Sequence, residues 1–181
     1  MKSRKNNSPT VQVFDNVLPE DQCLNLIEVF ENTEHGHEYF NENHTPCFTQ
    51  LNINHHNPEL VRFLVGFIQK AYGMYSVEVG KRYLPRLRSM EEFRLKRYNG
   101  GGHERFDEHV DVTDHASAKR ALAFLVYLND NDGLTYFPEQ DLTIEPRCGR
   151  ILVFPPTWEY PHQGLAPTTT KYILSTYIHY E

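Results

Sequence analysis

Within Arg97 to Asp114, "RYNGGGHERFDEHVDVTD", His109 and Asp111 stand one residue apart. On an extended strand, residues i and i+2 project from the same face, so this imidazole and carboxylate can grip one ion together. Alone the pair is a weak signal, because two such residues often meet at this spacing by chance. A third ligand must come from elsewhere, and His162, 51 residues beyond Asp111, offers it. Two histidines and one carboxylate form a facial triad that leaves half of an octahedron open, which suits a non-haem Fe(II) oxygenase. Structural zinc would be closed by four ligands, and catalytic zinc normally adds a hydrolytic base nearby. Ligand histidines must be neutral, so acid is expected to release the metal.

An open Fe(II) needs a bidentate co-substrate and O2. Lys171 follows His162 by nine residues, at the head of the last β-like run, and shares a strand face with Ile173, Ser175 and Tyr177. A cation there can hold the far carboxylate of a dicarboxylic keto acid. In "ALAFLVYL", Ala121, Ala123, Leu125 and Tyr127 form a face that is small at one end and leaves room for a ligand; Leu122, Phe124, Val126 and Leu128 form a bulky face for a core. The bland alternative is a strand buried on both sides. In "FRLKRY", alternation puts Arg94 and Lys96 on the face of Tyr98. Two cations inside a pocket are costly unless an acidic substrate group or a neighbouring carboxylate meets them, and a bulge would turn them outward. Trp158, four residues before His162, either lines a substrate mouth or packs. "NGGGHERFDE" reads as a mobile lid or as an ordinary hairpin loop, and lacks the GK[ST] of a phosphate cradle.

The elements that must position these residues follow a simple pattern. "LPEDQCLNLIEVFENT" is expected to be a helix with Leu24, Ile27, Val29 and Phe30 roughly on one side. "NPELVRFLVGFIQKAYGMY" is a second helix, with Asn57 as N-cap, Pro58 at its first position and Leu60, Phe63, Leu64, Phe67 and Ile68 recurring at helical spacing. The histidine-rich segment between them reads as a hydrated loop with an edge strand. Beyond residue 90, six short β-like runs ("EEFRLKRY", "RALAFLVYL", "LTYF", "LTIEP", "GRILVF", "KYILSTYIHY") alternate with Gly, Asp, Asn and Pro. The expectation is an α+β single domain: a tail over 1–10, a helical support region over 11–90, and an antiparallel barrel or sandwich over 91–181 packed by the two helices.

In that order, "RYNGGGHERFDEHVD", "FLVYLND", "DGLTYFP", "EPRCGRILVFPP" and "PHQGLAPTTTKYIL" resemble the Fe(II)- and 2-oxoglutarate-dependent dioxygenases, in particular the prolyl 4-hydroxylase branch, over roughly residues 91–180. The resemblance implies a double-stranded β-helix, or jelly roll. It implies Fe(II) held by His109, Asp111 and His162, and 2-oxoglutarate held through its C5 carboxylate by Lys171. Tyr127 resembles the tyrosine that hydrogen-bonds that carboxylate and Tyr98 a pocket tyrosine near the metal; Leu125 and Ser175 share their faces. The implied reaction consumes O2, releases succinate and CO2, and hydroxylates C4 of a prolyl residue in a peptide or protein, with ascorbate as a possible reductant. Arg94, Lys96, Trp158 and Tyr177 are the candidate substrate contacts. The alternatives are hydroxylation of a free amino acid or another side chain, a nucleic-acid demethylase, or a jelly-roll binding module without turnover. A demethylase typically carries a second arginine where Tyr177 stands.

The bulk composition is compatible with this. A net charge of -6 argues against a general nucleic-acid coat, although Lys81, Arg82, Arg86, Arg88, Arg94, Lys96 and Arg97 crowd one stretch, as a solvated face or a local patch. The three cysteines, Cys23, Cys47 and Cys148, are odd in number and form no CxxC, so a reducing, cytoplasmic setting is expected. The longest apolar run, Ala121 to Leu128, is too short to cross a bilayer. The residues carry no signal for an oligomeric state.

Overall fold

The computed structural model describes residues 9–41, 46–80 and 84–180. Most of the expected tail, His44 of the histidine-rich segment, and Lys81 and Arg82 of the basic stretch lie outside the described residues. Along the chain come β1 (Gln12–Phe14), α1 (Glu20–Asn32), β2 (His37–Asn41), β3 (Cys47–Asn52), α2 (Pro58–Val79), β4 (Arg94–Tyr98), β5 (Phe106–His109) and β6 (Arg120–Tyr127). β7 (Thr135–Phe137), β8 (Leu142–Ile144), β9 (Ile151–Phe154), β10 (His162–Gly164) and β11 (Lys171–His179) complete it.

All strand pairings are antiparallel, in a seven-stranded sheet ordered β1-β9-β6-β11-β4-β3-β2 and a four-stranded sheet ordered β5-β10-β7-β8. This is a jelly roll. The central strands of its large sheet, β9, β6 and β11, are buried on both faces. Leu122, Phe124, Val126 and Leu128 of the β6 segment pack with α1 and α2, whereas Ala123 and Tyr127 join Tyr98, Phe137, Leu152 and Phe154 between the sheets. The two faces read from "ALAFLVYL" therefore separate helix packing from the interior, except that Ala121 goes to the helix side. No helix among the described residues is long and apolar enough to cross a membrane.

The helices form where capping and apolar spacing agree. The Asn57 side chain accepts a hydrogen bond from the Leu60 N–H at 3.0 Å, Pro58 occupies the first turn, and Gly80 at φ 59° ends α2. The buried face of α1 is rotated from the one expected, with Cys23, Leu26 and Phe30 buried and Leu24 exposed, whereas α2 buries Leu60, Leu64, Phe67 and Ile68 as expected and leaves only Phe63 of that set exposed. The N-terminal region is more than a helical support. β1, β2 and β3 extend the large sheet, so the sheet crosses the boundary drawn near residue 90. β2 is indeed an edge strand, but β3 is paired on both sides.

The glycine-rich turn before β5 is fastened to the 167–168 segment, and it joins the two sheets rather than closing a hairpin, which corrects the hairpin-loop reading. Gly101 and Gly102 take φ 105° and 79°, and their N–H groups donate to Thr168 and Pro167 carbonyls at 3.2 and 3.0 Å. The buried Glu104 carboxylate accepts from the Asn99 backbone and side chain at 2.7 and 2.9 Å. A Cβ on Gly100 would stand 2.5 Å from the Thr168 carbonyl oxygen. Gly100→Ala is therefore expected to destabilise by about 1–3 kcal/mol, read as a lowered Tm; an unchanged Tm would show that this contact can relax.

Candidate metal centre and active site

His162 of β10 pairs directly with His109 of β5, and β5 ends there; Asp111 follows two residues later at a bend, past the strand proper. The shared side of His109 and Asp111 is thus made by a strand end and a turn, not by one continuous strand. Asp111 Oδ1 lies 3.6 Å from His109 Nε2, and its Oδ2 lies 3.6 Å from His162 Nε2. One ligand atom from each of the three residues falls within 4.8 Å of the others, a cluster able to hold one ion.

Both imidazoles are oriented by their other nitrogen. His109 Nδ1 lies 2.7 Å from the Asp107 carbonyl and His162 Nδ1 lies 3.1 Å from the Tyr160 carbonyl. Donation there leaves each Nε2 lone pair aimed at the cluster, the usual outer-partner arrangement for a metal histidine. Phe106 stacks on His109 at 3.5 Å, and Phe154 meets His162 edge-on at 4.8 Å. Burial lowers the His162 pKa despite Asp111, which favours the neutral ligand form. Burial would raise the Asp111 pKa, but the adjoining imidazoles and the Tyr177 hydroxyl bring it down to about 2.

The other wall comes from the large sheet. Lys171 opens β11 opposite Tyr98, Ile173 lies opposite Tyr127, and Ser175 opposite Leu125. Tyr98, Leu125, Lys171, Ile173 and Ser175 line the same cavity as the His–Asp–His cluster. Lys171 is 2 % exposed, and its ammonium donates to the Gly133 carbonyl at 2.5 Å. Among the described residues no carboxylate pairs with it, and burial lowers its pKa to about 7. A buried cation that lacks a counter-ion is the strongest sign that the cavity is built for an anion.

Several expected site residues stand differently from their anticipated places. Tyr127 is fully buried beneath the lining, and its hydroxyl donates to Thr135 Oγ1 at 2.8 Å. Thr135, which the sequence reading overlooked inside "DGLTYF", is the residue that lines the cavity. Trp158 is 78 % exposed and borders a separate surface hollow with Glu139, Gln140 and Pro161, so it is not at the cavity mouth. Of the two pocket cations anticipated on β4, Lys96 lines the cavity; Arg94 lies in the adjoining open groove, paired with Glu92 at 2.9 Å. Arg97, on the opposite face, pairs with Glu31 at 3.0 Å. Strand alternation thus separates Arg97 from Arg94 and Lys96.

Tyr177 lines the cavity as expected, but it also belongs to a brace behind Asp111. Its hydroxyl neighbours the Asp111 carboxylate and helps to lower that group's pKa, and Arg120 lies 4.1 Å over its ring. Arg120 also donates to the Asp111 carbonyl at 2.7 Å and makes a two-pronged pair with Glu91 at 2.8 and 3.0 Å, which His179 joins at 3.1 Å. Asp111 is held at both its main chain and its carboxylate. Tyr177→Phe is expected to weaken Fe(II) affinity about tenfold without unfolding the protein. A metal titration giving wild-type affinity would show that the hydroxyl does not brace the carboxylate.

A jelly roll whose cavity is lined by both an open His–Asp–His cluster and a buried lysine without a carboxylate partner is the architecture of an oxygenase that works with a metal and a keto acid. Residues 93–179 match the model of the 2OG-Fe(II) oxygenase superfamily, and over that segment the chain is a 2-oxoglutarate-dependent oxygenase domain of this family. That family uses Fe(II), 2-oxoglutarate and O2. No curated protein matches the sequence.

Solved structures share the fold across almost the whole chain. A viral collagen prolyl hydroxylase from Paramecium bursaria Chlorella virus-1, in complex with 2-oxoglutarate, is 20% identical with a TM-score of 0.72, covering 98% of this chain and 100% of that one. A Trichoplax adhaerens prolyl hydroxylase bound to a peptide fragment of the hypoxia inducible factor oxygen degradation domain is 14% identical with a TM-score of 0.76, covering 96% and 84%. A Pseudomonas putida prolyl-4-hydroxylase is 17% identical with a TM-score of 0.71, covering 95% and 93%.

Proposed function

We propose that the protein hydroxylates C4 of a prolyl residue in a peptide or protein while converting 2-oxoglutarate to succinate and CO2. His109, Asp111 and His162 hold Fe(II) in this reading, and Lys171 pairs with the C5 carboxylate of 2-oxoglutarate. Tyr98 and Thr135 flank that carboxylate, and Tyr127 acts through Thr135 rather than by direct contact. When bound, the iron and the keto acid would supply the electrons that activate O2, the oxidant, toward an unactivated C–H bond. The chain's own part is to orient and to shield. Leu125 and Ile173 keep water from the co-substrate, Ser175 adds a hydroxyl to the wall between them and Tyr177, and the Tyr177–Arg120 brace keeps Asp111 in position.

The observation that carries the reading is Lys171, a buried ammonium without a carboxylate partner in the same cavity as the triad. A binding module without turnover has no need of such a cation beside a metal site. The prolyl substrate rests on the prolyl hydroxylases that share the fold. Ascorbate would serve to keep the iron reduced. The free state of Cys23, Cys47 and Cys148 favours a reducing, cytoplasmic setting. The test is a panel of proline peptides with free proline as a separate arm, incubated with Fe(II), 2-oxoglutarate and ascorbate. Succinate together with one added oxygen on proline is the expected result. Succinate with no oxidised proline anywhere in the panel would refute the substrate assignment.

A further inference from the structure

Lys96 is a second cation in the cavity, and nothing in the chemistry above uses it. It sits in β4 between Ile173 of β11 and Gln50 of β3, on the interior face two residues from Tyr98. Its ammonium lies 4.9 Å from the centre of the Phe48 ring and 6.0 Å from that of Phe106, the ring stacked on His109. Among the described residues no carboxylate pairs with it, whereas its strand neighbours Arg94 and Arg97 are matched by Glu92 and Glu31. Asp111 attracts it from further off, but that carboxylate already faces both histidines.

Charge balance in the loaded cavity sharpens this. Fe(II) and Asp111 together leave one positive charge. That charge and Lys171 match the two negative charges of 2-oxoglutarate. Lys96 is then the charge left over, and even a half-buried cation without an anion is unfavourable. Aromatic faces compensate it only in part.

We propose that Lys96 recognises a carboxylate of the substrate, held beside the carbon that is hydroxylated. The proposal rests on the hydroxylase reading above and adds the substrate class, an acidic one. Lys96 stands one aromatic ring away from a triad histidine. The carboxylate therefore belongs to the target residue itself, as a free α-carboxylate, or to an Asp or Glu directly beside it in a peptide.

Wild type, Lys96→Met and Lys96→Arg are loaded with Mn(II) and 2-oxoglutarate, and binding of matched acid and amide pairs is measured. One pair is a proline peptide with Glu or Gln beside the proline; the other is free proline and its amide. Wild type is expected to bind the acid member of one pair at least about tenfold more tightly. Lys96→Met should bind both members alike, Lys96→Arg should keep the preference, and the Kd for 2-oxoglutarate should stay within about twofold in both variants. The pair that discriminates identifies the source of the carboxylate. Failure of wild type to discriminate or bind any pair, or a preference that survives in Lys96→Met, overturns the proposal. So does a tenfold loss of 2-oxoglutarate affinity, which would assign Lys96 to the co-substrate. Parallel reactions with Fe(II) keep the two readings separate. Acid preference without oxygen added to proline sinks prolyl hydroxylation alone, and oxidised proline without acid preference sinks the role of Lys96 alone.

Discussion

Replacing His109 with alanine is expected to reduce succinate formation to background and to release Fe(II). The residue carries its Nε2 to within 3.6 Å of Asp111 and meets His162 with ring centres 4.4 Å apart, so no other described side chain can take its place in the cluster. Loss of a partner one shell out typically weakens a metal site about 10–100-fold, and loss of a ligand exceeds that. The variant should remain folded, because His109 is half-buried at the end of a four-residue strand, and the apolar interior lies elsewhere. The check is a metal titration alongside succinate detection, with circular dichroism to confirm the fold. Wild-type turnover in this variant would rule out the triad.

Lys171→Met is expected to act in two opposite directions. It should weaken 2-oxoglutarate binding by roughly 10²–10³-fold, since a buried charge pair cut at one partner typically costs about 2–5 kcal/mol. It should also stabilise the ligand-free protein by about 1–3 kcal/mol, because it removes a buried cation that no carboxylate balances. The sign of the pH effect follows from the depressed pKa. Folding lowers Lys171 from 10.5 to about 7, so the native state binds fewer protons than the unfolded chain between those values. Its penalty on stability is full below about pH 7 and fades as the pH rises toward 10.5.

A dicarboxylate beside the ammonium restores the protonated form. Binding should then take up a proton at pH 8, and affinity should fall by up to about tenfold per pH unit above neutrality. Calorimetry in two buffers of different ionisation enthalpy measures that uptake, and thermal melts measure the stability gain. A Lys171→Met protein that is less stable than wild type, or that binds 2-oxoglutarate normally, would contradict the assignment.

Much of this site was legible in one dimension. His109, Asp111 and His162 declared themselves by residue type, by the one-residue gap in "HVD" and by the ordered motifs around them. Lys171, Ile173, Ser175 and Tyr177 share a face because alternation in β11 is strict over that span. α2 announced itself through Asn57, Pro58 and its apolar repeat. Short elements were harder. β5 and β10 have only four and three residues, too few for a period to show, and their identity as strands comes from pairing with each other.

What the linear sequence determined, then, is which side chains could do the chemistry and, in the longer strands β4, β6 and β11, most of the faces on which they lie. Only the folded chain decided what those faces meet. Tyr127 yields its hydroxyl to Thr135, Trp158 stands out in solvent, and Arg94 finds Glu92 while Lys96 finds only aromatic rings and a cavity. The physical reason is that alternation is a local property of the backbone, whereas the partner of a charge or a hydroxyl depends on which segments the fold brings together, as when Lys171 meets Gly133, 38 positions away, and Arg97 meets Glu31, 66 positions away. The unmatched state of Lys171 and Lys96, on which the functional reading turns, exists only once the sheets have closed around them.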